Sequence, residues 1–163
     1  APFPCVSAGT SLQGLCQDFV PPGHMDIATQ ASQLFSSLHI VVFDHASQSS
    51  LFEINRRVQW IRSACNALPN VVVASAKGLV ADYAASHNIQ VIVRGIRHAG
   101  DVDHELTLAY GNQSMRNTLQ TILIPASPGY SRLSASLVRE IIQAKGSIQS
   151  LVPDPIYKDL LDT

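Results

Sequence analysis

The sequence predicts one α/β domain over residues 1–163, with a Rossmann-like, doubly wound, five-stranded parallel sheet. Two observations predict this fold. Short, continuous apolar runs recur along the chain, and segments with the apolar spacing of a helix lie between them. Continuous apolar runs bounded by polar residues suit strands that are covered by helices on both faces. A chain of this length is most simply a single domain.

Four predicted strands are runs rich in β-branched residues, and an opening segment completes the sheet. In chain order the five strands are residues 3–9, 39–43, 70–75, 89–95 and 119–125. The helical segments between them carry apolar residues at Ile27, Ala31, Leu34 and Phe35, at Ile54, Val58, Ile61 and Ala64, and at Leu79, Tyr83 and Ala84. Strands therefore alternate with helices, which favours a parallel sheet.

The segment after Pro128 predicts a helix that begins at a polar cap. Ser134 or Ser136 is the expected N-cap, and Gly146 follows the last turn, where a helix commonly stops. A short terminal helix is expected to begin at Pro155.

The composition excludes several classes of protein. The chain is 46% hydrophobic and 14% charged with a net charge of −1, which predicts a buried core and a self-association surface rather than disorder. It has no basic run, so nucleic acid is not an expected partner. Cys5, Cys16 and Cys65 lack the spacing of a disulfide framework or a zinc site. Since neither a signal peptide nor a membrane-spanning run is recognisable, a cytoplasmic protein is expected.

Polar stretches follow three of the predicted strands. They are "AGTS", "RGIR" and "SPGYSRLSAS", and each brings hydrogen-bond donors or cations. Ligands of open parallel sheets bind beyond the carboxyl ends of the strands, where loops lead into helices. We therefore expect these stretches to meet there and to bind an anion.

The stretch "RGIR" places Arg94 and Arg97 at the end of a buried strand. Two guanidinium groups at that place can hold phosphates, and Gly95 between them lets the backbone approach a ligand. The alternative is that both arginines form salt bridges with the carboxylates that follow, which are Asp101, Asp103 and Glu105.

Two other elements are ambiguous when taken alone. The serine-rich stretch "SRLSAS" enters a helix, and a helix N-terminus binds anions, but plain N-capping is the simpler role. Gly23 and His24 follow two prolines and precede an amphipathic helix, and a histidine in such a place is commonly a turn residue. The three elements together are much more specific than any one of them.

In combination they make the chain resemble the phosphopantetheine adenylyltransferase family of the nucleotidyltransferase superfamily. The matching stretches are "GHMDIATQASQLF", "VIVRGIRHAGDVDHELTLAYGN" and "SPGYSRLSASLVREI", in that order, from about Gly23 to the C-terminus. The resemblance implies that the 4′-phosphate of phosphopantetheine attacks the α-phosphorus of ATP in line, with Mg²⁺ assisting. The products would be dephospho-coenzyme A and pyrophosphate, without a covalent enzyme intermediate. A homohexamer is also implied.

The resemblance implies roles for particular residues as well. His24 would be the catalytic residue, stabilising the transition state at the α-phosphate. The implied contacts of the acceptor, phosphopantetheine, are Thr10, Gln48, Val80 and Arg94, with Leu79 beside the pantetheine arm. The implied ATP contacts are Thr10, Ser11, His24, Gly95, Ile96, Arg97, Glu105, Tyr130, Ser131, Arg132, Leu133, Ser134, Ala135 and Ser136.

The first part of the chain departs from the family pattern in three ways. Extra residues follow Thr10, so the family threonine is either Thr10, which we favour, or Cys16 in an ungapped alignment that keeps Asp18 as the family aspartate. Pro21 replaces a polar residue and has no N–H to donate. Gln48 replaces a lysine that contacts the acceptor phosphate. The loss of one such donor or cation is worth about 2.7 to 4 kcal/mol of transition-state stabilisation.

These departures leave alternatives to the adenylyltransferase reaction. One is a non-catalytic homologue that binds nucleotide or coenzyme A, which Pro21 and Gln48 favour. Another is transfer to a different phosphate acceptor, against which the long match through "RGIRHAGDVDHE" counts. Because the departures cluster on the acceptor side, nucleotide binding is the better supported half of the prediction.

Overall fold

The structure is a computed structural model and describes residues 10–15, 22–44, 51–130, 135–152 and 154–161. In chain order the elements are β1 (Thr10–Leu15), α1 (Pro22–Leu34), β2 (Ser37–Asp44), α2 (Ile54–Ala64), β3 (Val71–Lys77), α3 (Val80–Ser86), β4 (Val91–Ile96), α4 (Ala99–Met115), β5 (Gln120–Pro125), α5 (Ala135–Gln143) and α6 (Asp154–Leu161). The strands form one parallel sheet in the order β3-β2-β1-β4-β5. The predicted doubly wound α/β fold is confirmed.

The sheet is covered on both faces because its strands are apolar on both sides. Leu38, Ile40 and Val42 of β2 pack with α1 and α2, and helices α5 and α6 add to this core. Val41 and Phe43 of the same strand pack on the opposite face with residues of α3. Strand β2 therefore reads as a continuous apolar run because alternate residues serve two different cores.

The carboxyl ends of the parallel strands lie along one edge of the sheet. Helix α1 packs on β2, β4 and β5, so its first turn reaches this edge between the strand ends. The chain order reverses beside β1, since β2 lies on one side of it and β4 on the other. Such a reversal forms the crevice in which open α/β sheets bind their ligands.

Strand β1 differs from its prediction. Residues 3–9 lie outside the described residues, and the described strand begins at Thr10, which was expected to follow it. Thr10 pairs with Ser37, the first residue of β2, and Leu15 pairs with Val42 near the end of β2. The stretch "TSLQGL" is not a typical strand sequence, and it forms a strand because β2 and β4 pair with it on either side.

The helix ends are partly as predicted. Ser136 lies inside α5 and is not its N-cap, while Ser134 lies outside the described residues. The expected stop before Gly146 is present, but the left-handed residue is Lys145, with φ of 55°. Gly146 N–H donates to the carbonyl oxygen of Ile141 at 2.8 Å, which closes the last turn. Helix α6 contains Pro155 in its first turn. Over the described residues, no helix is both long and apolar enough to cross a bilayer.

Candidate active site

The first turn of α1 lies against the loop that follows β5. A Cβ atom added to Gly23 would lie 3.6 Å from the carbonyl oxygen of Tyr130 and 3.8 Å from its Cβ. His24, the next residue, is the third residue of α1 and is partly buried. The Gly-His pair is therefore part of a helix start that packs on a neighbouring loop, and not a solvent-facing turn.

Burial and two guanidinium groups lower the pKa of His24 from 6.5 to about 4. Desolvation is the largest cause, and the positive charges of Arg94 and Arg97 add to it. The imidazole is therefore neutral at neutral pH, so one ring nitrogen donates a hydrogen bond and the other accepts one. The structure thus brings together His24, Arg94 and Arg97 from two separate parts of the sequence.

Arg94 of β4 is held by Glu105 of α4 in a two-point ion pair. Arg94 Nε donates to Glu105 Oε2 at 2.7 Å, and Arg94 Nη2 donates to Glu105 Oε1 at 3.1 Å. Glu105 is only 7% exposed, and a buried carboxylate requires a partner of this kind. The salt bridge that the sequence offered as an alternative role is therefore present. It also gives the Arg94 side chain a fixed direction.

Arg97 is tied to Asp101, one turn further along the chain. The backbone N–H of Arg97 donates to Asp101 Oδ2 at 2.8 Å, and its Nε lies 3.5 Å from the same oxygen. Desolvation would raise the pKa of Asp101, but the hydrogen bond from Arg97 and the charges of Arg97 and His98 outweigh it and hold the pKa below its ordinary value. Asp101 stays ionised and braces the turn between β4 and α4.

Gly95 has a packing role that the sequence did not reveal. A Cβ atom at this position would lie 2.7 Å from Cγ1 of Ile27 and 3.1 Å from its Cδ1. The expectation was that glycine keeps space open for a ligand. The structure shows that its missing side chain also lets α1 pack closely on the end of β4, which brings His24 near the arginines.

A further set of contacts joins α1 to the loop after β5. Asp26 Oδ2 accepts a hydrogen bond from Ser127 N–H, and Asp26 Oδ1 accepts one from Ser127 Oγ, both at 2.7 Å. Sequence reasoning missed this pair because the two residues lie 101 positions apart. Asp26 shows locally only as an acidic residue near the start of an amphipathic helix, and that signal does not reveal its partner.

Comparison with known proteins identifies the family. The model of the family described as "Cytidylyltransferase-like" matches residues 16–141. A protein of Prochlorococcus marinus named phosphopantetheine adenylyltransferase is 36% identical over 85% of this chain and 88% of its own length. One of the same name from Picosynechococcus is 38% identical over 88% of this chain and 80% of its own length. The chain belongs to the phosphopantetheine adenylyltransferase family.

A solved structure supports the fold alone. It comes from Vibrio parahaemolyticus and is described, provisionally, as a nicotinate-nucleotide adenylyltransferase. It covers 95% of this chain and 99% of its own with a TM-score of 0.65, but only 13% of the residues are identical. At that identity the match shows a shared architecture and carries nothing about substrates.

Two residues that the resemblance to the phosphopantetheine adenylyltransferase family implicated lie away from the ligand edge. Thr10 and Ser11 pair with Ser37 and Leu38 at the start of β2, so they lie at the opposite edge of the sheet from His24. The expectation that Thr10 follows the first strand at the ligand edge is therefore wrong. The residue that directly follows β1 is Cys16, where the family match also begins.

The remaining family positions are described to different extents. Gly95, Ile96 and Arg97 lie at the carboxyl end of β4, and Val80 begins α3 after β3, at the same edge. Tyr130 is exposed at the end of the described post-β5 loop, and Ala135 and Ser136 open α5. The positions outside the described residues are Pro21, Gln48, Ser131, Arg132, Leu133 and Ser134.

Two cations lie near the end of β2. Lys77 pairs in register with Asp44 where β2 and β3 end. Arg57 of α2 is only 3% exposed, and its Nη2 lies 3.9 Å from Asp44 Oδ1. Within the described ranges, no group accepts a hydrogen bond from Arg57 Nε or Nη1. Positive charge is therefore available near the end of β2.

The carboxylates of the site do not form a metal centre by themselves. Searching the described part of the chain finds no group of at least three His, Cys, Asp or Glu residues that could hold a metal ion. Asp101 and Glu105 are engaged by Arg97 and Arg94.

Proposed function

We propose that this chain is an enzyme that transfers the adenylyl group of ATP to the 4′-phosphate of phosphopantetheine, giving dephospho-coenzyme A and pyrophosphate. One observation carries the proposal. In a member of this family, a neutral imidazole at a helix start lies under the influence of two guanidinium groups, beside the post-β5 loop. The named relatives support this reaction over other transfers to phosphate acceptors.

For this reaction the protein has to align the two substrates, and it forms no bond with either of them. An oxygen of the acceptor phosphate forms a bond to the α-phosphorus of ATP. The bond from that phosphorus to the oxygen bridging to the β-phosphate breaks, and pyrophosphate leaves with the electron pair. No side chain acts as a nucleophile, so the protein has to hold two anions in line and stabilise charge on the phosphoryl oxygens.

His24 suits this task because it is neutral before substrates bind. Its N–H donates to a non-bridging oxygen of the α-phosphate, and this hydrogen bond strengthens as charge builds on that oxygen. Arg97 adds positive charge from the end of β4, and the first turn of α1 presents the positive end of its dipole. Since the pKa of His24 is about 4, the imidazole stays neutral around pH 7 and its role does not depend on pH there.

The two substrates occupy different strand ends. ATP contacts Gly95, Ile96 and Arg97 at the end of β4 and the loop from Tyr130 to Ser136. The acceptor phosphate meets Arg94, and Val80 lines the pantetheine arm. We assign Glu105 to the acceptor side, because its carboxylate orients Arg94 through two hydrogen bonds. Mg²⁺ enters with ATP and is held mainly by its phosphates and water.

The second candidate is a non-catalytic homologue that binds nucleotide or coenzyme A. Pro21 and Gln48 favour it, because both positions have lost a polar or charged side chain that the family pattern carries. The charges of Arg57 and Lys77 near the end of β2 favour retained activity instead, since they can offset the missing lysine.

We also propose that the enzyme works in the cytoplasm as a homo-oligomer, a hexamer by family resemblance. Helix α4 supports self-association, because it exposes large apolar side chains that no other described part of the chain covers. They are Leu106, Leu108, Tyr110 and Met115. Light scattering coupled to size-exclusion chromatography measures the assembly directly, and a monomer at micromolar concentration would contradict it.

The test of the function is an assay with purified protein, ATP, Mg²⁺ and 4′-phosphopantetheine. Formation of dephospho-coenzyme A and pyrophosphate in equal amounts is the expected result. Omission of phosphopantetheine controls for ATP hydrolysis. Binding of ATP or coenzyme A in calorimetry without any product would establish the non-catalytic alternative, and failure to bind either ligand would overturn both.

A further inference from the structure

The carboxylate of Asp26 joins the helix that carries His24 to the loop after β5. Its two oxygens accept from the N–H and the hydroxyl of Ser127, both at 2.7 Å. Gln30, one turn further along α1, adds to the same junction. Its Nε2 lies 3.1 Å from Asp26 Oδ2, 3.2 Å from the carbonyl oxygen of Pro125 and 3.4 Å from Ser127 Oγ. The amide and carboxylate of one helix face thus bind the first residues of the loop.

The contact between Asp26 and Ser127 links His24 on α1 to Tyr130 on the post-β5 loop. Asp26 follows His24 by two positions in the same helical turn. Ser127 precedes Tyr130 by three positions, and Tyr130 N–H donates to the carbonyl oxygen of Ser127 at 3.2 Å. Tyr130 in turn packs against Gly23. The first residues of α1 therefore contact the loop at two places, Gly23 with Tyr130 and Asp26 with Ser127. His24 lies between these two contacts along the helix.

We propose that Asp26 is a positioning residue, which holds the post-β5 loop in register with the imidazole of His24. The inference rests on the proposed function, in which this loop takes the nucleotide and His24 stabilises the transition state. Asp26 itself touches neither substrate. It acts by fixing how far the loop lies from the imidazole.

A carboxylate suits this position for a chemical reason. Ser127 offers two donors side by side, and each oxygen of the carboxylate accepts one of them. An amide in its place has one oxygen and one NH₂ group, so one of the two Ser127 donors would face another donor instead of an oxygen. An alanine leaves both donors without a partner and frees the loop to shift. Displacement by about 1 Å in an active site can lower a rate on the order of 100-fold.

The test compares four single variants and the double variant Asp26→Ala/Ser127→Ala with wild type, at a temperature where circular dichroism shows all of them folded. Asp26→Ala removes both bonds, Asp26→Asn keeps one acceptor, and Ser127→Ala removes only the hydroxyl. Thr29→Ala is the matched control, because its exposed hydroxyl donates only to the carbonyl oxygen of Met25 within α1. The readouts are kcat and KM for ATP.

A positioning role predicts that kcat falls on the order of 100-fold in Asp26→Ala and about 10-fold in Asp26→Asn. Since circular dichroism shows all variants folded at the assay temperature, a loss of folded enzyme does not explain this fall. Ser127→Ala has a smaller effect, and it has no further effect when Asp26 is already alanine. The control stays within about twofold of wild type. If both Asp26 variants are folded and keep the kcat of the control, the proposal is overturned.

A second readout separates this inference from the proposed function. Absence of turnover in wild type would count against the function, and the junction is then judged by amide hydrogen exchange. Asp26→Ala is expected to speed exchange at Ser127 and Tyr130 and to shift the imidazole resonances of His24, relative to Thr29→Ala. Unchanged exchange and unchanged resonances would show that Asp26 does not hold the loop.

Discussion

The two halves of the ligand edge are built differently. At the β4–β5 rim, which comprises Arg94, Arg97 and the post-β5 loop, salt bridges and hydrogen bonds fix the polar side chains. Arg94 is paired with Glu105, Arg97 is braced by Asp101, and Ser127 is held from α1. At the β1–β2 rim, which comprises Asp44 and Arg57 near the end of β2, a buried guanidinium has only a 3.9 Å ion pair in the described structure.

The β4–β5 rim is therefore preorganised, whereas the arrangement of the β1–β2 rim depends on its ligand. Fixed donors stabilise a transition state most effectively when they need not reorganise, which describes the β4–β5 rim. A buried arginine with N–H groups that lack a partner is unfavourable until an acceptor reaches it. Pro21 and Gln48, where the sequence departs from the family pattern, were expected on the acceptor side and lie outside the described residues. Nucleotide binding is therefore expected to be robust and acceptor binding to be sensitive.

The largest expected effect is at His24. His24→Ala removes the donor at the α-phosphate, and kcat is expected to fall about 100- to 1000-fold while the Kd for ATP changes little. Product formation and calorimetric ATP binding measure the two quantities. His104→Ala, at an exposed histidine of α4, is the control and should retain activity. Unchanged turnover in His24→Ala would remove His24 from the mechanism.

A second prediction concerns pH and stability. The pKa of His24 is about 4 in the folded protein and 6.5 ordinarily, so the unfolded chain takes up the proton first as pH falls. The stability of wild type is unaffected above about pH 6.5, falls between pH 6.5 and 4, and loses about 3 kcal/mol from this group in full. His24→Gln lacks this loss.

Urea unfolding of both proteins at pH 7 and pH 4 measures the prediction, since other titrating groups are common to both and cancel. Wild type should lose about 3 kcal/mol more than His24→Gln between the two conditions. Equal losses would mean that His24 is not desolvated beside Arg94 and Arg97, and the preorganised character of the β4–β5 rim would be in doubt.

The sequence predicted the sheet well because of its apolar runs. Runs such as "HIVVF" are buried on both faces of the sheet. A strand buried in this way must be apolar along its length, and that property is visible in the sequence alone. Strand β1 was misplaced, because "TSLQGL" contains polar residues and glycine and becomes a strand only through pairing with β2 and β4. Because the predicted strand ended before Thr10, this residue was predicted at the wrong edge of the sheet.

The part of the site that was predictable is the part that follows from the sheet topology, which places the loops after the strands at one edge. His24, Arg94 and Arg97 meet because their loops share one edge, as any doubly wound sheet requires. The contact between Asp26 and Ser127 was not predictable, since two polar residues far apart carry no mutual signal in a single sequence. The reason for Gly95 was also hidden, because it depends on how closely Ile27 approaches.

A third prediction decides to which substrate Glu105 belongs. If Glu105 acts by orienting Arg94 toward the acceptor, Glu105→Gln replaces one of the two acceptor oxygens by an NH₂ group and removes the negative charge from the other, and it raises KM for phosphopantetheine by about 10-fold. KM for ATP should change by less than about twofold. Initial rates with each substrate varied in turn provide both values. Asp103→Asn, an exposed carboxylate on the same helix, is the control.

The opposite outcome has an equally clear meaning. A selective rise in KM for ATP would place Glu105 on the nucleotide, as the family resemblance implied. The Arg94–Glu105 pair would then be a resting arrangement that ATP rearranges. The β4–β5 rim would in that case be less preorganised than its 2.7 Å and 3.1 Å contacts indicate.

The smallest expected effect tests the β1–β2 rim. Gln48→Lys restores the family cation, and one exposed charge near a phosphate is worth on the order of 1 kcal/mol, so the affinity for phosphopantetheine should rise about fivefold. Gln59→Lys adds the same charge at an exposed position of α2 and should leave the affinity unchanged. Calorimetry at two salt concentrations identifies the effect as electrostatic, because screening reduces it.

No gain in Gln48→Lys would mean that Arg57 or Lys77 already neutralises the acceptor phosphate. Arg57→Met should then weaken phosphopantetheine binding while ATP binding is retained.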